Sequence, residues 1–132
     1  MSEKTIPKLN HNVQRNALIK AEQAILGSLF VSPDLFRCHK LRVTEDMFYC
    51  DVNKAAFRAA KEAEYWTRGR IKSYPLRLSR LFIDRTELDK KTALDYYQKL
   101  IKSAVSDIPT LRKHINTLKK ERENNFEGWK TK

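Results

Sequence analysis

Apolar residues recur at spacings of three and four along most of the chain, and no segment keeps the period of two that a half-buried strand requires. The pattern predicts an all-α protein. The first helical stripe is Ala21, Ala24, Ile25, Gly27, Ser28 and Leu29, small and aliphatic, with Lys20, Glu22 and Gln23 expected toward the other side. Glycine inside a helix costs about 1 kcal/mol relative to alanine, so Gly27 predicts a second helix crossing close by. Ser32-Pro33-Asp34 then marks a stop and a new start, with a short segment over residues 33–41 that would bury Leu35 and Phe36. Residues 53–67 carry Ala55, Ala56, Phe57, Ala59, Ala60 and Ala63 among good helix formers, and Gly69 is placed to end that helix in a left-handed conformation. Ser73-Tyr74-Pro75 repeats the cap-and-proline signal ahead of Leu76, Leu78, Leu81 and Phe82.

The last third reads as two helices in a row. Leu94, Tyr97, Leu100, Ile101, Ala104 and Val105 form one stripe, a break at 106–110 holds Pro109, and Leu111, Ile115 and Leu118 form another. This predicts a helical hairpin over about residues 92–123. The whole architecture expected is a globular helical bundle with a protruding C-terminal hairpin, spanning residues 17–123 between flexible arms at 1–16 and 124–132. The apolar set of the hairpin exceeds what two helices can hide between themselves, so part of it should pair with a second copy in a homodimer or higher oligomer. The candidate interface is Tyr96, Leu100, Ile101, Ala104, Ile115 and Leu118. Adjacent Tyr96 and Tyr97 cannot both face one side of a helix, so Tyr96 is either on a second contact surface or half-exposed. Residues 119–123 are polar all round, to be solvated or docked, while Phe126 and Trp129 read as a small docking motif or the start of a linker.

Composition narrows the function classes. At 132 residues, 41% hydrophobic and 33% charged, the chain is one domain with a real core. No apolar run approaches the ~20 residues that span a bilayer, and the start has no signal-peptide h-region, so a cytoplasmic location is expected. Cys38 and Cys50 stand outside any CxxC pair and read as two reduced thiols. The three glycines frame no GxxxxGK[ST] loop, the three histidines share no HxxxH or HExxH pattern, and no serine or cysteine has a base partner in the pattern. Glu62, Glu64, Asp84, Glu87, Asp89 and Asp95 each lie near a Lys or Arg and read as solvated helix faces. No catalytic residue, cofactor or metal is therefore expected, and the chain reads as a non-enzyme.

The formal net charge of +11 calls for an acidic partner, nucleic acid or protein. The basic band Arg68, Arg70, Lys72, Arg77, Arg80 and Arg85 is the candidate contact, with a solvated loop and helix face as the plain alternative. The pattern pairs this band with none of the stacking aromatics that a single-strand groove uses, which favours a protein partner over DNA.

Ala21-Glu22-Gln23, Ile25-Leu26-Gly27, Pro33-Asp34, Phe36, Asp46, Phe48-Tyr49, Phe57 and Arg68-Gly69, in this order and spacing, resemble the signature of the N-terminal domain of DnaB-type replicative helicases. Glu87-Leu88, Tyr97, Leu100 and Pro109 are similar to the approach to that family's helical hairpin. The resemblance covers residues 17–123 and includes no ATPase half. It implies a domain without catalytic residues whose hairpins pair into dimers, three of which build a collar where primase and loader proteins dock. It therefore implies a protein-interaction module of DNA replication with a helicase, primase or loader as partner. Two settings fit: the excised domain of a longer helicase, or a small phage or mobile-element protein that recruits, loads or inhibits one, which the start at Met1 favours. A small basic nucleic-acid-binding protein on the same scaffold is the alternative. Lys90-Lys91-Thr92-Ala93 stands where the family has a glycine pair, the turn after Pro109 is shorter, and the arginine-rich 68–85 region replaces a stretch that is typically acidic. These departures leave the fold intact and put the usual partners in doubt.

Overall fold

A computed structural model describes residues 13–38, 41–68, 70 and 72–130, the side chains of 13, 14 and 122–130 excepted. Among the described residues there are five α-helices and no strand: α1 (Val13–Val31), α2 (Asp51–Thr67), α3 (Tyr74–Thr86), α4 (Lys90–Lys102) and α5 (Ile108–Lys130), with single 3-10 turns at Pro33–Arg37 and Glu45–Met47. The all-α expectation holds. α1 begins at Val13, inside the stretch read as an arm, and α5 runs through much of the stretch read as a flexible tail; Met1 to Asn12 lie outside the described residues.

α1 is the axis of the molecule. Every residue from Ala21 to Phe30 is buried, because α2, α4, α5 and the Pro33–Arg37 turn all pack on it. That burial corrects the expected polar side: Lys20 is exposed, but Glu22 and Gln23 are inside. Gly27 is where α4 crosses. A Cβ there would stand 1.8 Å from the carbonyl oxygen of Leu100 and 2.9 Å from the amide nitrogen of Ala104, so only glycine admits the neighbouring backbone. At the next residue, the Ser28 hydroxyl donates to the Ala24 carbonyl at 2.7 Å and accepts from the Val105 amide at 3.0 Å, pinning the chain as it leaves α4.

The expected pairing of the last two helices is not what forms. α2 and α3 make the most extensive helix pair, whereas α4 and α5 each pack against α1 and have at most marginal contact with each other. Their apolar stripes are satisfied by α1 rather than by one another. The chain turns between them over residues 103–107; Asp107 accepts from the Thr110 amide at 2.9 Å, and Pro109 falls in the first turn of α5, where its missing N–H costs nothing. Asp89 starts α4 the same way, accepting from the Thr92 amide at 3.1 Å. In both caps the donated hydrogen bonds hold the carboxyl below its ordinary value. Two ring clusters fill the core: Phe30, Phe82 and Tyr97, with centroids 5.3 to 5.7 Å apart, and Phe36, Phe57 and Phe48 at 5.5 to 5.7 Å. Leu35 and Phe36 end half-buried rather than buried.

Candidate functional site

The candidate interface residues divide sharply. Tyr96, Leu100, Ile115 and Leu118 are buried within a single chain, at no more than 3% exposure, and are not available as a surface; Ile101 and Ala104 remain half-exposed. The reason is α1, whose all-round apolar surface takes up the stripes of α4 and α5 without a second copy. Tyr96 is not half-exposed but lies on a second contact surface of α4, one inside the same chain. It is 2% exposed and donates its hydroxyl to Asn53 Oδ1 at 2.6 Å, while Tyr97 packs half-buried on Phe30 and Phe82; α4 is embraced on two sides, by α1 and α3.

Tyr96 belongs to a buried polar cluster that ties three helices. Glu22 Oε1 accepts from Asn53 Nδ2 at 2.8 Å and its Oε2 accepts from the Tyr49 amide at 2.9 Å. The carboxylate of α1 thus sits at the N-terminus of α2. Burial pushes the Glu22 carboxyl up, against the opposing pull of those donors, and likewise pushes up the Cys50 thiol. Glu22 and Tyr49 also line a small pocket with Leu18, Met47, Phe48 and Leu118, and among the described residues no three His, Cys, Asp or Glu side chains could hold a metal ion. Cys38 and Cys50 are in no disulfide.

The surface offers two features. One is a cleft of about 320 Å³ where the end of α1 meets the α4–α5 turn; Val31, Leu35, Ala104, Val105 and Ile108 form its apolar part, Ser32, Ser106 and Asp107 add polar groups, and Val31 is 55% exposed. The other surrounds the α2–α3 turn and contains the basic band, whose members have different fates. Arg70 caps α2, its guanidinium donating to the carbonyls of Trp66 at 3.1 Å and Thr67 at 3.3 Å. Arg85 holds Glu62 across the α2–α3 seam at 3.0 Å and also meets Asp84, and these carboxylates push its guanidinium further up. Arg68 takes the left-handed C-cap position itself, at φ 33°, and its guanidinium lies 5.0 Å from the Tyr65 ring centre. Gly69, the residue expected there, lies outside the described residues. Lys72, Arg77 and Arg80 are exposed and form no ion pair with the described residues.

Sequence reading passed over the aromatic half of this surface. Tyr65 and Trp66, 55% and 54% exposed, meet edge to face at 5.3 Å on the last turn of α2. The signal was present, two adjacent aromatics with an arginine three residues beyond the first, but it was absorbed into the helix end.

The family model of the DnaB-like helicase N-terminal domain matches residues 14–120, which is all of the globular body from α1 into α5. The chain belongs to that family. No curated protein and no solved structure matches it. Membership in the DnaB-like helicase N-terminal domain family makes this a helicase-related replication module, and in the helicase that domain is non-catalytic. Among the described residues no helix is long and apolar enough to cross a membrane.

Proposed function

We propose that this chain is a non-catalytic protein-interaction module of DNA replication that docks on a replicative helicase, its primase or its loader, and that self-associates. The observation that carries this reading is the family match over residues 14–120, reaching every helix of the body. The cleft at Val31, Leu35, Val105 and Ile108 supports it, as a concave apolar surface that α1 leaves uncovered at its C-terminal end. Self-association is proposed through the half-exposed Ile101 and Ala104 beside this cleft, since the other interface candidates are spent on the core.

The test is co-sedimentation of the purified chain with a replicative helicase, or with its primase, at about 0.15 M salt. Binding to at least one of them is expected, with loss in the double variant Val31→Glu, Val105→Glu while its helical content stays that of the parent. Light scattering at tens of micromolar should show a mass above one chain that falls in the same variant. Absence of binding to both partners would refute the docking reading, and a monomer at that concentration would refute self-association.

A further inference from the structure

The aromatic and basic residues around the α2–α3 turn make a surface of a particular chemistry. From Tyr65 to Ile83 the chain has five Lys or Arg, at 68, 70, 72, 77 and 80, and no Asp or Glu. The carboxylates that flank this stretch are already engaged by arginine: Glu62 and Asp84 by Arg85, Glu64 by Arg37 at 2.9 Å. The local charge is therefore net positive, and Lys72, Arg77 and Arg80 are exposed. The Glu62–Arg85 pair sets the register of antiparallel α2 and α3. Trp66, one turn on from Glu62, is then level with Leu81, one turn back from Arg85, and Arg77 is one turn further. The exposed indole thus stands beside the cationic face of α3.

Tyr65 and Trp66 are also held in place. They pack edge to face, Arg68 lies over the outer ring, and Arg70 ties the carbonyl of Trp66. An indole that is 54% exposed and held this way presents a flat π-face ready to receive another ring. Arg68 accepts a left-handed backbone that a glycine would adopt more readily, and in exchange its guanidinium stays at the aromatic pair.

We infer that this surface binds single-stranded DNA, with Trp66 and Tyr65 stacking unpaired bases and Arg68, Lys72, Arg77 and Arg80 contacting the phosphates. A partner protein would need an acidic surface and an apolar pocket for the indole together; unpaired DNA supplies both chemistries in every nucleotide. The binding is independent of sequence, since every base has a stackable face and no side chain here is placed to read a base edge.

The test uses the full chain with a fluorescent oligothymidine of about twenty nucleotides and a duplex of equal length. Trp66 and Trp129 are the two tryptophans, so in a Trp129→Phe background the quenching of indole emission reports Trp66. Oligothymidine should quench that emission and bind more tightly than the duplex. Trp66→Ala should weaken binding roughly tenfold. The triple change Lys72→Gln, Arg77→Gln, Arg80→Gln should flatten the slope of log affinity against log salt by about 2, at ~0.7 for each phosphate no longer neutralised. Arg68→Gly provides the control for folding, because it relieves the left-handed strain: affinity should fall while the melting temperature holds or rises. Equal binding of duplex and oligothymidine, no quenching of Trp66, or a salt slope unmoved by the triple change would each overturn the inference. So would a helicase or primase complex that Trp66→Ala abolishes while DNA binding persists.

Discussion

Glu22 shows how one side chain serves packing and electrostatics together. It is nearly inaccessible, and two donors, the Asn53 amide and the Tyr49 backbone, hold its two oxygens, yet desolvation outweighs them and its carboxyl is raised above the ordinary 4.5. A carboxyl raised in the folded state holds its proton there after the unfolded chain has lost it. Its contribution to stability is therefore fullest below about pH 4.5 and declines as pH rises through the folded value. Glu22→Gln removes that titration. Urea melts of both proteins across pH 4 to 7 should show the stability of the parent relative to Glu22→Gln falling as pH rises. A relative stability that climbs over the same range would mean that the donors, not burial, dominate. The sequence showed Glu22 only as a polar member of a helix, because nothing in the local pattern announces that Asn53 and the Tyr49 amide, 31 and 27 positions away, will satisfy it.

At the level of elements, the crossing of α1 and α4 decides the arrangement. Gly27 was readable as a close contact from its cost in a helix, and α4 does cross there. What the stripes on α4 and α5 did not reveal was their partner: periodicity says that Leu100, Ile115 and Leu118 are buried, not against what, and neighbours in sequence were the wrong choice. The same blindness made Tyr96 an interface residue. Helix ends were legible where proline marked them, at Pro33, Pro75 and Pro109; they were missed at Asp89, read only as part of a solvated face, and at Arg68, where an arginine takes the left-handed position beside an available glycine. Gly27→Ala follows from the crossing geometry. The added methyl meets a backbone carbonyl that cannot rotate away, so the ~1 kcal/mol gained in helix propensity is outweighed by about 3 kcal/mol or more of overpacking. Net destabilisation of about 2 kcal/mol in urea melts is expected. Unchanged stability would mean that α4 stands further off than the structure has it.

For the molecule as a whole, the positive charge lies around the α2–α3 turn and the cleft where α1 meets the α4–α5 turn, and the two regions adjoin through the Tyr74 hydroxyl on the Leu29 carbonyl and the Arg37–Glu64 pair. The family was legible in motifs spread over residues 17–123, most specifically in the first helix at Ala21-Glu22-Gln23 and Leu26-Gly27, where Glu22 meets the start of α2 and Gly27 the α4 crossing. Partners leave no such mark in a single chain. The most direct measurement is analytical ultracentrifugation of the chain with a purified replicative helicase at about 0.15 M salt, with and without the Val31→Glu, Val105→Glu pair and with DNA excluded. An interaction module gives a faster-sedimenting complex that the pair of charges removes and that the triple Lys72, Arg77 and Arg80 change to glutamine leaves in place. No complex, or one lost only with the basic residues, would contradict it.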